Sequence, residues 1–283
     1  MGSHRVFRIF WWATNVLLAL SLLGTLYTGI WEHSVRQYLK GFSDAVIPEA
    51  STPQQKVEAI LTWMSLGPPR FEAIDPSALS AHDPTDTLNY RQLLEVCGSA
   101  TNAFLNLSRS SGLEARRLLL LNPDRTAKHV VAEVHLDGRW VIIDATYRAM
   151  MKDSQGRLLT RADLQDPRLF QEATARIPGY ISVYSYERVA HVRVGALPVL
   201  GPVLRRMLDT ALPGWDESLD WSLLLERRSF AFFFISMWAL IFFLLLRIVL
   251  AWLADHRLRI PRLRLLSSLA RATATFFSTP EMK

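Results

Sequence analysis

The chain has 283 residues, half of them apolar, with a single cysteine and a formal net charge of +6. One cysteine excludes an intramolecular disulfide framework. Acids and bases nearly balance between Glu32 and Arg228, so the positive surplus sits in the ends beside apolar stretches, which argues against a nucleic-acid surface and for a membrane-topology signal.

Residues 9–30 form a continuous apolar run behind Arg5 and Arg8, long enough at roughly 20 residues to cross a bilayer. The run exceeds the roughly 7–15 residues of a signal-peptide core and has no small-x-small site before Trp31, so an uncleaved anchor over 9–31 is expected. Trp11 and Trp12 at one end and Tyr27 and Trp31 at the other fit interfacial belts. A linker is expected over 41–48. Thr52-Pro53-Gln54-Gln55 then supplies an N-cap, a first-turn proline and a capping-box glutamine, and Val57, Ile60, Leu61 and Met64 form one apolar helical face. Gly67-Pro68-Pro69 ends that helix, and residues 70–87 read as a long loop.

Cys97-Gly98-Ser99-Ala100 opens a run with Ala100, Phe104 and Leu107 at helical spacing and Gly112 as its stop. The thiol therefore falls at a helix N-terminus, where the partial positive charge favours thiolate, the nucleophilic form. A buried structural cysteine is the plainer alternative. Just upstream, Gln92 is the candidate oxyanion donor because its amide can hydrogen-bond a developing negative oxygen; a solvated helix residue is the competing reading. A buried strand follows over 113–121 and stops at Asn122-Pro123-Asp124.

A hairpin comes next, with strands over 129–136 and 139–146 around Asp137-Gly138, a pair suited to a type I′ turn. Two turn residues fix the register: Leu136 faces Arg139, Val134 faces Val141 and Val131 faces Asp144. His129 and Asp144 then share a face as diagonal neighbours, roughly 7–8 Å apart at Cα, a gap an imidazole and a carboxylate can bridge. A lone cysteine at a helix start with a His–Asp pair on a rigid hairpin makes a nucleophile, base and orienter set.

These residues carry a resemblance. Cys97 with its helix, Gly112 to Arg116, His129 to Glu133, Asp137-Gly138-Arg139-Trp140-Val141 and Asp144-Ala145-Thr146 are similar in order and spacing to the core of the transglutaminase-like superfamily. The chain departs from that family's usual pattern at Val96, at Val130-Val131 and at Ala145. The resemblance implies an α+β, papain-like fold, N-terminal helices packed on an antiparallel sheet, with Cys97, His129 and Asp144 as a catalytic triad. It implies acyl transfer through a thioester: protease or amidase if water is the acceptor, crosslinking transferase if an amine is.

Farther on, Asp153-Ser154-Gln155-Gly156 reads as a turn, Thr160 as a cap for a short helix, and residues 181–194 as one or two strands. His135 and His191 lack the spacing of a zinc set, so no metal and no cofactor is expected. Residues 195–221 read as an apolar loop lying either on the membrane or on the soluble core. A second span is expected over 229–253, with Arg247 snorkelling to the nearer interface, followed by a basic tail over 254–283.

The expected layout is a cytoplasmic N-terminus over 1–8, spans over 9–31 and 229–253, and an extracytoplasmic transglutaminase-like domain over 32–228 with its core at about 53–194. Arg5, Arg8, Arg257, Arg259, Arg262, Arg264 and Arg271 flank the proposed inner side, against Arg36, Lys40, Arg227 and Arg228 outside, so both termini are placed in the cytoplasm. The expected partners are the lipid bilayer and a peptide, protein or glycoconjugate of the cell envelope, with no nucleic acid. A catalytically silent scaffold that binds a partner in an envelope complex is the alternative from another class.

Overall fold

The computed structural model describes residues 2–181, 183–192, 201–218 and 222–258. It divides into two units, one spanning Thr28–Phe232 and one made of the residues up to Tyr27 and from Phe233 onward.

Within Thr28–Phe232, the helices run first. Helix α1 (Gly2–Val46) extends through most of the stretch expected as a linker. The reason is packing: Leu39 is buried, and Tyr38, Phe42 and Val46 lie against the core, so ending the helix at Gly41 would expose its apolar face. Helix α2 (Pro53–Leu66) opens with the expected capping box, in which the Gln55 N–H donates to Thr52 Oγ1 at 3.3 Å and the Thr52 N–H to Gln55 Oε1 at 2.8 Å. Residues 70–87 are more ordered than the loop expected there. They hold a 3-10 turn at Pro76–Ala78 and the start of α3 (Pro84–Asn89), which Asp83 caps by accepting the Thr85 N–H at 2.9 Å. Helix α4 (Arg91–Leu94) leads into α5 (Cys97–Ser110).

Helix α5 ends where the glycine placed its stop. Gly112 has φ +83°, the left-handed conformation, and the Gly112 N–H reaches Arg109 O at 3.1 Å while the Leu113 N–H reaches Ser108 O at 3.0 Å. Those two bonds satisfy carbonyls the helix cannot pair internally.

Five antiparallel strands follow: β1 (Ala115–Leu121), β2 (Ala127–Leu136), β3 (Arg139–Asp144), β4 (Ala149–Met150) and β5 (Val189–Ala190), in spatial order β4-β3-β2-β1-β5. The β2–β3 hairpin keeps the expected register, with Leu136 opposite Arg139 and Val134 opposite Val141. Both turn residues have positive φ, Asp137 at 50° and Gly138 at 77°, as a type I′ turn requires. Strand alternation divides the core between the sheet's two faces. Ala132, Val134, Val141 and Ile143 pack with Ile60, Phe104 and Leu107 of the helices, whereas Leu118, Leu120, Val131 and Ile142 pack with Leu159, Leu164 and Tyr186. Each fully buried side chain of this size contributes about 1.5–3 kcal/mol.

Beyond the hairpin, Gly156 closes the expected turn with φ +82°, and Thr160 Oγ1 donates to Asp163 Oδ2 at 2.8 Å ahead of a 3-10 turn at Asp163–Gln165 and α6 (Pro167–Thr174). The strands expected over 181–194 shorten to β5, and residues 182, 193 and 194 lie outside the described residues. The stretch expected as an apolar loop carries α7 (Gly201–Ala211) and α8 (Trp215–Ser218), with residues 195–200 and 219–221 outside the description. Helix α9 (Ser222–Glu226) leads to α10 (Arg228–Leu253).

Among the described residues, two helices, over Arg5–Val46 and Arg228–Arg257, contain stretches long and apolar enough to cross a membrane. Leu20, Leu23, Ile235 and Phe242 among them are exposed, as lipid-facing side chains are. Arg247 has partners inside the second unit: its Nε donates to Asn15 Oδ1 at 2.7 Å and its guanidinium lies 3.2 Å from the Trp11 ring centroid. A polar group and a ring face are favourable partners for a guanidinium among apolar side chains. The basic tail residues from Arg259 on lie outside the described residues.

Candidate active site

Cys97 is the first residue of α5 and is half-buried. Its N-cap, Val96, is extended and has no side-chain cap, so no neighbouring carboxylate or hydroxyl cancels the positive end of the helix at the N-cap position. The helix is fastened to the sheet one turn later, where Thr101 Oγ1 donates to Val130 O at 3.1 Å. That bond sets the thiol-bearing helix start against the strand that carries His129.

His129 and Asp144 meet as the hairpin register requires. His129 Nε2 is 2.7 Å from Asp144 Oδ2, with the residues 2% and 0% exposed. The other carboxylate oxygen, Oδ1, accepts the backbone N–H groups of Thr146 at 3.0 Å and Tyr147 at 3.3 Å. The carboxylate is thereby fixed in its own turn and in turn fixes the ring, leaving His129 Nδ1 as the nitrogen free to serve the thiol.

The electrostatics follow from this arrangement. Interaction with the His129 side chain is the main influence holding the Cys97 thiol below its ordinary value, opposed by burial and assisted by the backbone N–H groups of Val130 and Gly98. For His129, burial alone would lower the pKa, but the Asp144 bond and then the Cys97 contact overcome it and push the imidazole up to about 9. The two shifts point the same way, toward the ionised forms of both the thiol and the imidazole.

Two tyrosines that sequence reasoning did not single out lie against the imidazole, and a third packs on them. Tyr184 stacks on His129 with ring centroids 4.2 Å apart and planes within 4°, Tyr147 approaches the same ring edge-on at 6.1 Å, and Tyr180 lies 4.5 Å from Tyr147. Burial, followed by Tyr147, pushes the Tyr184 phenol up to about 12, so the stacked ring stays neutral and its electron-rich face meets the imidazolium. The tyrosine-rich segment 180–186 was the available signal, but nothing in its spacing points to His129.

Gln92 sits on α4, the short helix ahead of Cys97, half-buried with its amide oxygen enclosed and without a hydrogen-bond partner. This placement differs from that of a solvated helix residue. Arg148, four residues after Asp144, has φ +53° and turns its guanidinium back to Leu94 O at 2.8 Å and to Thr146 O, bridging the hairpin exit to the turn before the cysteine.

All three residues of the set fall inside the stretch that a family comparison selects: residues 40–145 match the family model of the transglutaminase-like superfamily core. No curated protein and no solved structure matches the chain. The matched stretch holds α2 through β3, the helices and the central strands of the mixed helical and antiparallel architecture. With its order of helix, thiol, hairpin histidine and aspartate, the stretch over residues 40–145 is similar to a transglutaminase-like superfamily core.

Proposed function

We propose that this protein is a membrane-anchored thiol acyl-transfer enzyme acting on peptide or isopeptide amide bonds, with Cys97 as nucleophile, His129 as acid and base, and Asp144 as orienter. The observation that carries the reading is the His129 Nε2 to Asp144 bond of 2.7 Å, which leaves the opposite ring nitrogen for a thiol whose pKa is lowered. In the first half-reaction the Cys97 sulfur attacks the amide carbon and forms a C–S bond. The tetrahedral oxyanion accepts a hydrogen bond from the Gln92 amide. The C–N bond then breaks as the imidazolium gives its proton to the departing amine, leaving a thioester. In the second, His129 takes a proton from water or an incoming amine as it attacks, and the thiolate leaves with the imidazolium restored. Water yields a carboxylic acid and an amine yields a new amide. Asp144 stays ionised throughout and stabilises the imidazolium.

The test uses the chain's single cysteine, which makes labelling site-specific. Iodoacetamide should modify Cys97 at pH 6–7 at a rate a free thiol reaches only near its ordinary pKa of about 8.5, with no labelling in Cys97→Ser. A thiol that reacts only above about pH 8.5 would favour the silent scaffold.

The same reading places residues 32–228 outside the cytoplasm, supported by the two candidate spans and by the arginines near Arg5 and Arg257. A phosphatase reporter fused after Gly156 should be active, because that enzyme folds only outside. A silent reporter in an expressed fusion would reverse the orientation and move the substrate into the cytoplasm.

A further inference from the structure

The base of the site is bonded to its orienter at one atom, His129 Nε2, 2.7 Å from Asp144 Oδ2, and one bond does not fix the plane of the ring. Nε2 lies close to the axis about which an imidazole turns on its Cβ–Cγ bond, a torsion with broad minima. The bond therefore restrains that rotation weakly, while the same rotation swings Nδ1 away from the thiol. Tyr184 supplies the missing restraint. Its ring lies flat on the imidazole, with centroids 4.2 Å apart and planes within 4°, and His129 is left 2% exposed.

Tyr184 is itself anchored from several directions. Lys128, the residue before His129, donates from Nζ to Val183 O at 3.0 Å and so ties the segment to the strand that bears the base. Tyr186, two residues on, is buried in the core, and Tyr180 meets the Tyr184 ring at 5.7 Å with planes at 87°. Tyr180 in turn packs on Phe170 of α6 at 6.1 Å. The titratable groups that act on the imidazole are Asp144 from β3 and Cys97 from α5, with the Tyr147 ring edge-on to it. Burial, followed by Tyr147, pushes the Tyr184 phenol up to about 12, so below that pH the stacked face is neutral. Such a face attracts a cation, the more so where water is excluded, and gains less from an uncharged imidazole.

We propose that Tyr184 is a positioning residue for the reaction: its ring fixes the plane of His129, so that Nδ1 faces Cys97, and holds the imidazole in its protonated form. It acts through His129 rather than on substrate. The inference rests on the thiol acyl-transfer reading above and adds to it a residue from outside the stretch 40–145 that holds the nucleophile, base and orienter.

The probes are iodoacetate and iodoacetamide, applied to the full chain in detergent micelles. Both alkylate the same thiolate, but only the first is an anion, so the ratio of their rates reports the charge beside Cys97 and cancels the thiolate content. In the wild-type protein the ratio should step down with a midpoint at about pH 9, as His129 loses its proton, and His129→Ala should show no step. Tyr184→Leu keeps an apolar cover over the imidazole and removes the π face; its midpoint should fall by about one pH unit. Tyr184→Phe keeps the face and should match the wild type. Tyr184→Met stands in if Tyr184→Leu fails to fold. A step unmoved in Tyr184→Leu or its stand-in, or moved as far in Tyr184→Phe, overturns the role of Tyr184 and leaves the enzyme reading intact. A wild-type ratio without a step, or a thiol labelled only above about pH 8.5, overturns both.

Discussion

In His129→Ala, alkylation of Cys97 at pH 7 is expected to fall by about tenfold, because the side chain that does most to hold the thiol below its ordinary pKa is gone and an ordinary cysteine is only a few per cent thiolate at that pH. Amide turnover should fall further, by about 10⁴, because the variant also loses the proton donor for the leaving amine. The pH profiles separate these two roles. Thiolate is present above the lowered pKa of Cys97, so alkylation of the wild-type protein should rise through a midpoint below the ordinary thiol range and then stay level. Amide cleavage needs thiolate and imidazolium together; it should share that rise but decline again as pH passes about 9, where His129 loses its proton. Single-turnover rates measured with one amide substrate and with iodoacetamide over the same buffers check both limbs. An alkaline limb present in both reactions, or a His129→Ala variant that alkylates at the wild-type rate, would remove His129 from its assigned place.

The second large effect concerns stability. Glu32, 4% exposed on α1, accepts Arg36 Nε at 2.7 Å and Arg227 Nη2 at 2.8 Å on Oε1 and the Ser229 hydroxyl at 2.7 Å on Oε2. Arg227 is itself 8% exposed, so Glu32→Ala leaves a buried guanidinium without its carboxylate. Breaking a buried pair from one side costs about 3–5 kcal/mol, chiefly from the charge left behind. For a unit of this size that corresponds to a melting temperature lower by roughly 6–20 °C. Thermal denaturation in detergent micelles would show it. Arg36→Ala is the comparison: its side chain is 57% exposed, and its loss should cost only about 0.3–0.5 kcal/mol. Equal shifts in the two variants would mean that the cluster is solvated rather than buried.

How far the sequence reached differs by element, and the difference has a physical cause. The α2 capping box, the Gly112 helix stop and the β2–β3 register are decided by residues within a few positions of one another. Their chemistry is local: a Thr oxygen on the third amide, a glycine at positive φ, an Asp-Gly turn that fixes every pairing after it. Because a sheet alternates sides with period two, a fixed register also puts His129 and Asp144 on one face, whatever the rest of the chain does. The two apolar stretches are equally plain, since length and hydropathy are properties of the chain itself. The linker expected at 41–48 failed because Gly41 is only a weak breaker, and burial of Leu39, Tyr38 and Phe42 outweighs it.

Other features depend on tertiary structure. The Arg247–Asn15 bond joins positions 232 residues apart and the Ser229–Glu32 bond positions 197 apart, and no periodicity or motif records either. Tyr184 reaches the His129 ring only because the folded chain brings segments far apart in sequence together. The sequence by itself determined the chemistry available at this site, a thiol at a helix start and an imidazole–carboxylate pair on a hairpin, because each piece is set by local backbone rules. The tertiary structure alone decided what surrounds that chemistry, such as the tyrosine ring stacked on His129, because packing between distant segments has no local signature.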